Sequence, residues 1–217
     1  MSFASRRRVA PVLLVMVTGL VLGMLHANAV EWVVHKYVLH GLGRKKGSLW
    51  RFHWAQHHRI ARKNGMYDKS YEQPFWVWNA RGKEIAGILG LALLHLPLIH
   101  VAPWFTAAVM FSSGNYLYRH RKAHVDVEWG RKHMPHHYDH HMGENQDANW
   151  CVSYPWLDLI LGTRERSHAS LDLEPRTPST HGSHPPGYPN LDESRVPHAG
   201  GAGSPARVLI ERQRHGR

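Results

Sequence analysis

Apolar and polar stretches alternate along the chain in long blocks. Val9 to about Leu25 is apolar and continues through Ala29-Val30-Glu31-Trp32-Val33-Val34 without a small-residue cleavage pattern. That run has the length of a retained membrane helix, roughly 17–25 residues, preceded by a basic N-terminus at 1–8 that carries Arg6-Arg7-Arg8. Gly41 to Lys83 is polar and basic, with ten Lys or Arg against Asp68 and Glu72. Ile85 to Tyr118 is again almost continuously apolar, interrupted by Pro97 and Pro103. About 34 residues exceeds one ordinary span and fits a helical hairpin or two short half-buried helices. A hairpin returns the chain to the side it left, which brings the polar segments to one face of the membrane.

The pattern predicts an all-α integral membrane helical bundle with a polar cap over residues 9–163. From 164 to 217 the chain holds seven prolines and six glycines with few large apolar groups, which reads as a disordered tail.

Charge fixes the orientation expected for this arrangement. The net charge is +11, from 27 Lys and Arg against 16 Asp and Glu, and the basic segments make their face cytoplasmic by the positive-inside rule. Arg6–Arg8 oppose that assignment if the first run crosses fully, so either the ten basic residues prevail or the chain turns back near His26-Ala27-Asn28. Nucleic acid is not expected as a partner, because the apolar spans would then have no purpose. Nine tryptophans, many beside apolar runs, fit an interfacial belt. Cys151 is the only cysteine, which excludes disulfides, Cys zinc fingers and Cys-ligated clusters. No Gly-rich dinucleotide or phosphate loop is present, so redox chemistry would need electrons from another protein.

The candidate chemistry lies in the histidines. Fourteen of twenty fall between His35 and His141, ten of them in four boxes: His35-x4-His40, His53-x3-His57-His58, His120-x3-His124 and His137-x2-His140-His141. Neutral imidazole binds first-row transition metals, and ten imidazoles suit two ions better than one. His53 and His57, His120 and His124, and His137 and His141 are four apart, so on a helix each pair shares a face. The adjacent pairs His57-His58 and His140-His141 diverge by about 100°, which sends one member of each toward a second ion. His35 and His40, five apart, are offset on an ideal helix; Gly41 and Gly43 mark a helix end where that offset can relax. Glu31, one turn before His35, and Asp139, inside the last box, are candidates to orient imidazoles from behind. The last box has a second register, His133-x2-His136-His137. The distance to the Trp–Asp–Gly–Thr run favours the first register and leaves His133 and His136 as supporting groups. His95 and His100 are expected to satisfy carbonyls freed by Pro97, or to line a lipid tunnel. Asn115 and Tyr118 stand near the membrane edge, where they can help to close the site. Five isolated histidines (168, 181, 184, 198 and 215) read as solvated residues of the tail.

These stretches resemble the fatty acid hydroxylase/sterol desaturase superfamily over roughly residues 30–163. The resemblance is carried by Glu31-Trp32-Val33-Val34-His35-Lys36-Tyr37-Val38-Leu39-His40-Gly41, Phe52-His53-Trp54-Ala55-Gln56-His57-His58, His120-Arg121-Lys122-Ala123-His124 and His137-Tyr138-Asp139-His140-His141. The run Asn149-Trp150-Cys151-Val152-Ser153-Tyr154-Pro155-Trp156-Leu157-Asp158, ending in Gly162-Thr163, adds to it.

The resemblance implies a membrane di-iron oxygenase that hydroxylates or desaturates a lipid C–H bond with O2. It also implies two metal ions, iron in the working enzyme with zinc as a possible occupant after purification, and electrons from a ferredoxin- or cytochrome b5-like donor. The closing run points to an acyl-lipid or sterol-like substrate. The His35–His40 box and the three residues between His53 and His57, where many lipid hydroxylases have two, are also similar to bacterial carotenoid ring hydroxylases. A membrane zinc-binding or transport protein is the non-catalytic alternative; transporters, however, usually keep ligands within their spans.

Overall fold

A computed structural model describes residues 3–167, with side chains from residue 10 onward. Every regular element among the described residues is helical. The helices are α1 (Phe3–Val33), α2 (Arg59–Lys63), α3 (Ala80–Leu94), α4 (Pro103–Val125), α5 (Val127–His133), α6 (Pro135–Met142) and α7 (Trp156–Ile160). Short 3₁₀ turns lie at Lys69–Glu72 and Leu96–His100. Two π-helical segments, Val34–Leu42 and His53–His58, carry the first two histidine boxes.

The first apolar run does not turn back at His26-Ala27-Asn28. α1 passes straight through and continues as π-helix to Leu42, and the expected basic N-terminus forms its first turns from Phe3 onward. Two stretches, Ala10–Leu42 and Ala80–His100, are long and apolar enough to cross a membrane. The second apolar region is the hairpin expected from Pro97 and Pro103. Asn79 caps α3 by accepting from Gly82 N at 3.0 Å, the 3₁₀ turn follows, and Pro103 starts α4 where a missing N–H costs nothing.

α1 and α4 run parallel and very close. A Cβ on Gly19 would lie 2.9 Å from Trp104 Cβ, and one on Gly23 would lie 2.5 Å from Phe105 O. Glycine four apart on one face is what lets two membrane helices meet at this distance.

The buried residues gather at the cap rather than between the spans. Met66, Ala123, Met134 and Val152 pack under the histidines, while Leu13, Leu22, Leu94 and Phe111 face outward, as lipid-facing side chains do. Of the tail expected from 164, residues 164–167 are described and are tied down: Arg164 and Ser167 bond Asp139, and Glu165 N donates to Asn149. The remainder, with its five histidines, lies outside the described residues.

Candidate metal centre

The ten box histidines are all buried and all converge. They divide into two groups. His35, His40, His53, His58 and His140 form one, with ligand atoms within 4.8 Å of one another. His57, His120, His124 and His141 form the second within the same limit, and His137 adjoins it with its Nε2 3.2 Å from that of His124.

The π-helical turns produce this division. In a π-helix the repeat closes at i→i+5, as Gly43 N does on Val38 O at 3.0 Å. His35 and His40 therefore share a side, with ring centroids 5.0 Å apart. The five-residue offset is absorbed by a wider turn within the helix, not by fraying at Gly41 and Gly43. The same geometry pairs His53 with His58, Nε2 to Nε2 at 3.2 Å, and turns His57 to the other group. The α-helical pairing of His53 with His57 thus does not form. α4 supplies His120 and His124, and α6, started by Pro135, supplies His137, His140 and His141.

Backbone carbonyls set the tautomers. His35 Nδ1 donates to Trp150 O at 2.6 Å, His140 Nδ1 to Ala148 O at 2.7 Å and His124 Nδ1 to Met66 O at 2.7 Å. His58 Nδ1 donates to Gln146 Oε1 at 3.1 Å. A neutral imidazole has one proton, so the Nε2 atoms of these four rings carry lone pairs. Those lone pairs face other nitrogens: His140 Nε2 is 3.2 Å from both His40 and His58, and His35 Nε2 is 3.0 Å from His53. One ring nitrogen cannot hydrogen-bond two others at once, and facing lone pairs repel. A cation between them resolves both. Metal–imidazole bonds of about 2.0–2.1 Å at right to tetrahedral angles place ligand nitrogens roughly 2.8–3.4 Å apart, a range that includes the observed separations. Among the described residues, His57 Nε2 and both nitrogens of His141 are buried without hydrogen-bond partners, which leaves a nitrogen of each ring open to an ion. The residues fit metal ions.

Burial, followed by the crowding of like rings, holds His53, His58, His137 and His141 well below the usual histidine range. Burial does the same to His124 and His140, against the opposing pull of their carbonyl acceptors. Each stays in the neutral form that binds metal.

Carboxylates stand behind the second group, but not those expected. Glu84 meets His120 Nδ1 and accepts from the hydroxyls of Tyr71 at 2.8 Å and Tyr116 at 2.9 Å. Asp68 faces His57 Nδ1 at 3.4 Å. The sequence did hold a signal for Glu84, the sole acid between Glu72 and Asp126, at the head of an apolar span.

Glu31 does not orient His35, whose Nδ1 is already committed. It accepts from the N–H groups of Val152 and Ser153. Asp139 binds Arg164 at 2.9 Å and Ser167 at 2.5 Å instead of a ring. His133 is exposed and stacks on Trp129, away from both groups. His136 is buried and donates from Nε2 to Val152 O at 2.8 Å, outside the converging nitrogens. The register His137-x2-His140-His141 is therefore the one that enters the cluster.

The closing run gains a role from these contacts. Carbonyls of Ala148, Trp150 and Val152, alternating along a segment without regular structure, receive His140, His35 and His136. Its N–H groups go to carboxylates: Trp150 N at 2.9 Å and Cys151 N at 2.8 Å to Asp158, and the next two to Glu31.

Two cavities reach the first group from the membrane side. One, about 810 Å³ with its open mouth, runs between α1, α3 and α4 from His26 and His95 up to His35 and includes Asn115. The other, about 660 Å³ on the same measure, ends at His53 and Glu84. Both touch Val34, Leu39, Ile88, Leu91 and Tyr116, and both walls are mainly apolar. Tyr118 is 62% exposed and does not close the site. His95 bonds Leu91 O at 2.8 Å, two residues before the carbonyl that Pro97 would leave free on an α-helix, and lines the first cavity; His100 is exposed.

Apolar spans, a buried double cluster of histidines that could hold metal ions, and mainly apolar cavities leading to it mark a membrane protein with a candidate metal centre. The family model described as Fatty acid hydroxylase matches residues 20–163, and the chain belongs to that family. None of the curated proteins and none of the solved structures compared with the chain matches it. The family and the histidine cluster together make the protein an oxidoreductase of the lipid hydroxylase or desaturase kind.

Proposed function

We propose that the protein is an O2-dependent oxygenase that hydroxylates or desaturates a C–H bond of an acyl-lipid or sterol-like substrate, with two iron ions held by the ten box histidines. The observation that carries this reading is the convergence of Nε2 lone pairs from His35, His58 and His140, with His35 lining the end of a mainly apolar cavity. When bound, an iron pair supplies the oxidising power that an unactivated C–H bond demands. The chain contributes neutral ligands fixed by carbonyls and carboxylates, and an apolar passage that excludes water and delivers a lipid carbon to the His35 side.

Two electrons per turnover come from a ferredoxin- or cytochrome b5-like protein, since the chain has no flavin or nicotinamide motif of its own. The cluster lies on the cytoplasmic side, in keeping with the ten basic residues between Gly41 and Lys83.

The test is metal analysis of the purified protein, combined with lipid mass spectrometry of cells that make it or the His140→Ala variant at equal level. Cells supplied with fatty acyl lipids, sterols or carotenoids and a working electron donor are compared. Iron in the protein and a lipid one oxygen heavier, absent in the variant, support a hydroxylase; two hydrogens lighter indicates a desaturase. A carotenoid product moves the substrate class. Zinc with no lipid change on any diet ends the oxygenase reading.

A further inference from the structure

The cavity that begins at His35 ends, deeper between the spans, at two imidazoles that no box contains. His26 of α1 and His95 after α3 both line it, with Nε2 atoms 2.9 Å apart. His95 Nδ1 lies 2.8 Å from Leu91 O. A carbonyl only accepts, so this nitrogen carries the proton of neutral His95 and its Nε2 offers a lone pair. His26 must then donate from Nε2, which leaves His26 Nδ1 as a bare acceptor. Nδ1 has no hydrogen-bond partner among the described residues; Phe105, 5.2 Å from the ring, only packs against it. Polar rings within an apolar span are costly and are kept there for a purpose. The intervening wall is mainly apolar, with Ala27, Val30, Leu91, Ala92 and Val109, though Ser112, Ser113 and Asn115 also line the cavity. From position 26 to position 35 the helix rises roughly 13 Å.

We infer that His26 and His95 form a recognition subsite for a hydroxyl group, so that the preferred occupant is a lipid alcohol. Its hydroxyl donates to His26 Nδ1 and lies roughly 13 Å from the carbon presented beside His35. An ether, ester or ketone brings only lone pairs to a lone pair and is disfavoured; a plain hydrocarbon leaves the acceptor unmatched. The inference takes from the oxygenase reading only that this cavity is the lipid site. If that reading holds, the substrate already carries one oxygen, and a reaction that installs or unmasks a distal hydroxyl must come earlier.

The test is binding, without turnover. Full-length protein in phosphatidylcholine nanodiscs is saturated with tritiated dodecan-1-ol and competed with unlabelled dodecan-1-ol or with 1-methoxydodecane, which lacks the donor. The alcohol is expected to bind about fivefold more tightly than the ether, as one neutral hydrogen bond allows. That preference is lost in His26→Leu and kept in His26→Gln, whose amide both donates to His95 and accepts from the alcohol. Equal affinities in the wild type, absence of saturable binding, or an unchanged preference in His26→Leu overturns the subsite. If His26→Leu does not fold, the wild-type and His26→Gln ratios decide. Alcohol preference without any oxidised lipid in cells leaves the subsite and removes the oxygenase; oxidised lipid without the preference does the reverse.

Discussion

His53 and His57 belong to the same π-helical turn, yet they serve different groups: His53 Nε2 lies 3.0 Å from His35 Nε2, while the His57 ring stands 4.6 Å from that of His124. If each group holds one ion, His53→Ala and His57→Ala should each lower metal content from about two to about one per chain, and the double variant should approach none. Elemental analysis of the purified proteins checks this. Loss of both ions in both single variants would mean one shared site.

Glu84 fixes the His120 ring and is itself held by two tyrosine hydroxyls. Removing such a support typically costs 10–100-fold in metal affinity. Glu84→Gln is expected to lower the affinity of the second group by about that factor in a chelator competition, with the first group unaffected. Glu31→Gln, which touches no ring, should leave the affinity of the second group unchanged.

Asp158 is fully buried and accepts two backbone N–H groups and the Thr163 hydroxyl. Asp158→Ala strands two buried N–H groups and the half-buried Thr163 hydroxyl, and at about 1–3 kcal/mol for each buried unsatisfied group the protein should lose at least about 2 kcal/mol. Thermal unfolding in detergent reads the loss. Metal content should fall with it, because the same segment carries the acceptors of His35 and His140. Glu128→Ala, which removes an exposed pair with Arg131, should cost no more than about 1 kcal/mol.

The contact of α1 with α4 predicts sharply different outcomes for two glycines. Any side chain on Gly23 meets Phe105 O and Ala108 Cβ, whereas Gly90 has nothing within 4 Å. Gly23→Leu should prevent the spans from packing, seen as aggregation or loss of a sharp elution peak in detergent. Gly90→Leu should be tolerated.

Burial pushes the Cys151 thiol well above its ordinary range, helped by the nearby charges of Glu31 and Asp158. A raised value keeps the thiol protonated through neutral and mildly alkaline pH, so folded protein should resist iodoacetamide at pH 8. Denatured protein should be alkylated readily. Fast labelling of the folded protein would show that the segment around Cys151 opens in solution.

What the sequence determined by itself was composition by region: where the apolar spans lie, that the spans are helical, and which stretches hold the histidines that cluster. Those follow from local spacing and from block hydropathy, which one chain reveals. Which histidine joins which group was decided by tertiary structure, because a π-turn and an α-turn read alike in sequence and differ by one residue per repeat. Which ring each support meets was also out of reach. The helical spacing of Glu31 and Asp139 suggested contacts with the box histidines, yet in the fold Glu31 binds the closing run and Asp139 binds Arg164 and Ser167. Glu84 reaches His120 across 36 positions, from 84 to 120, and the acceptors of His35, His140 and His124 are carbonyls. Every residue has a carbonyl, so no residue type marks one that a ring will use; only the path of the backbone does.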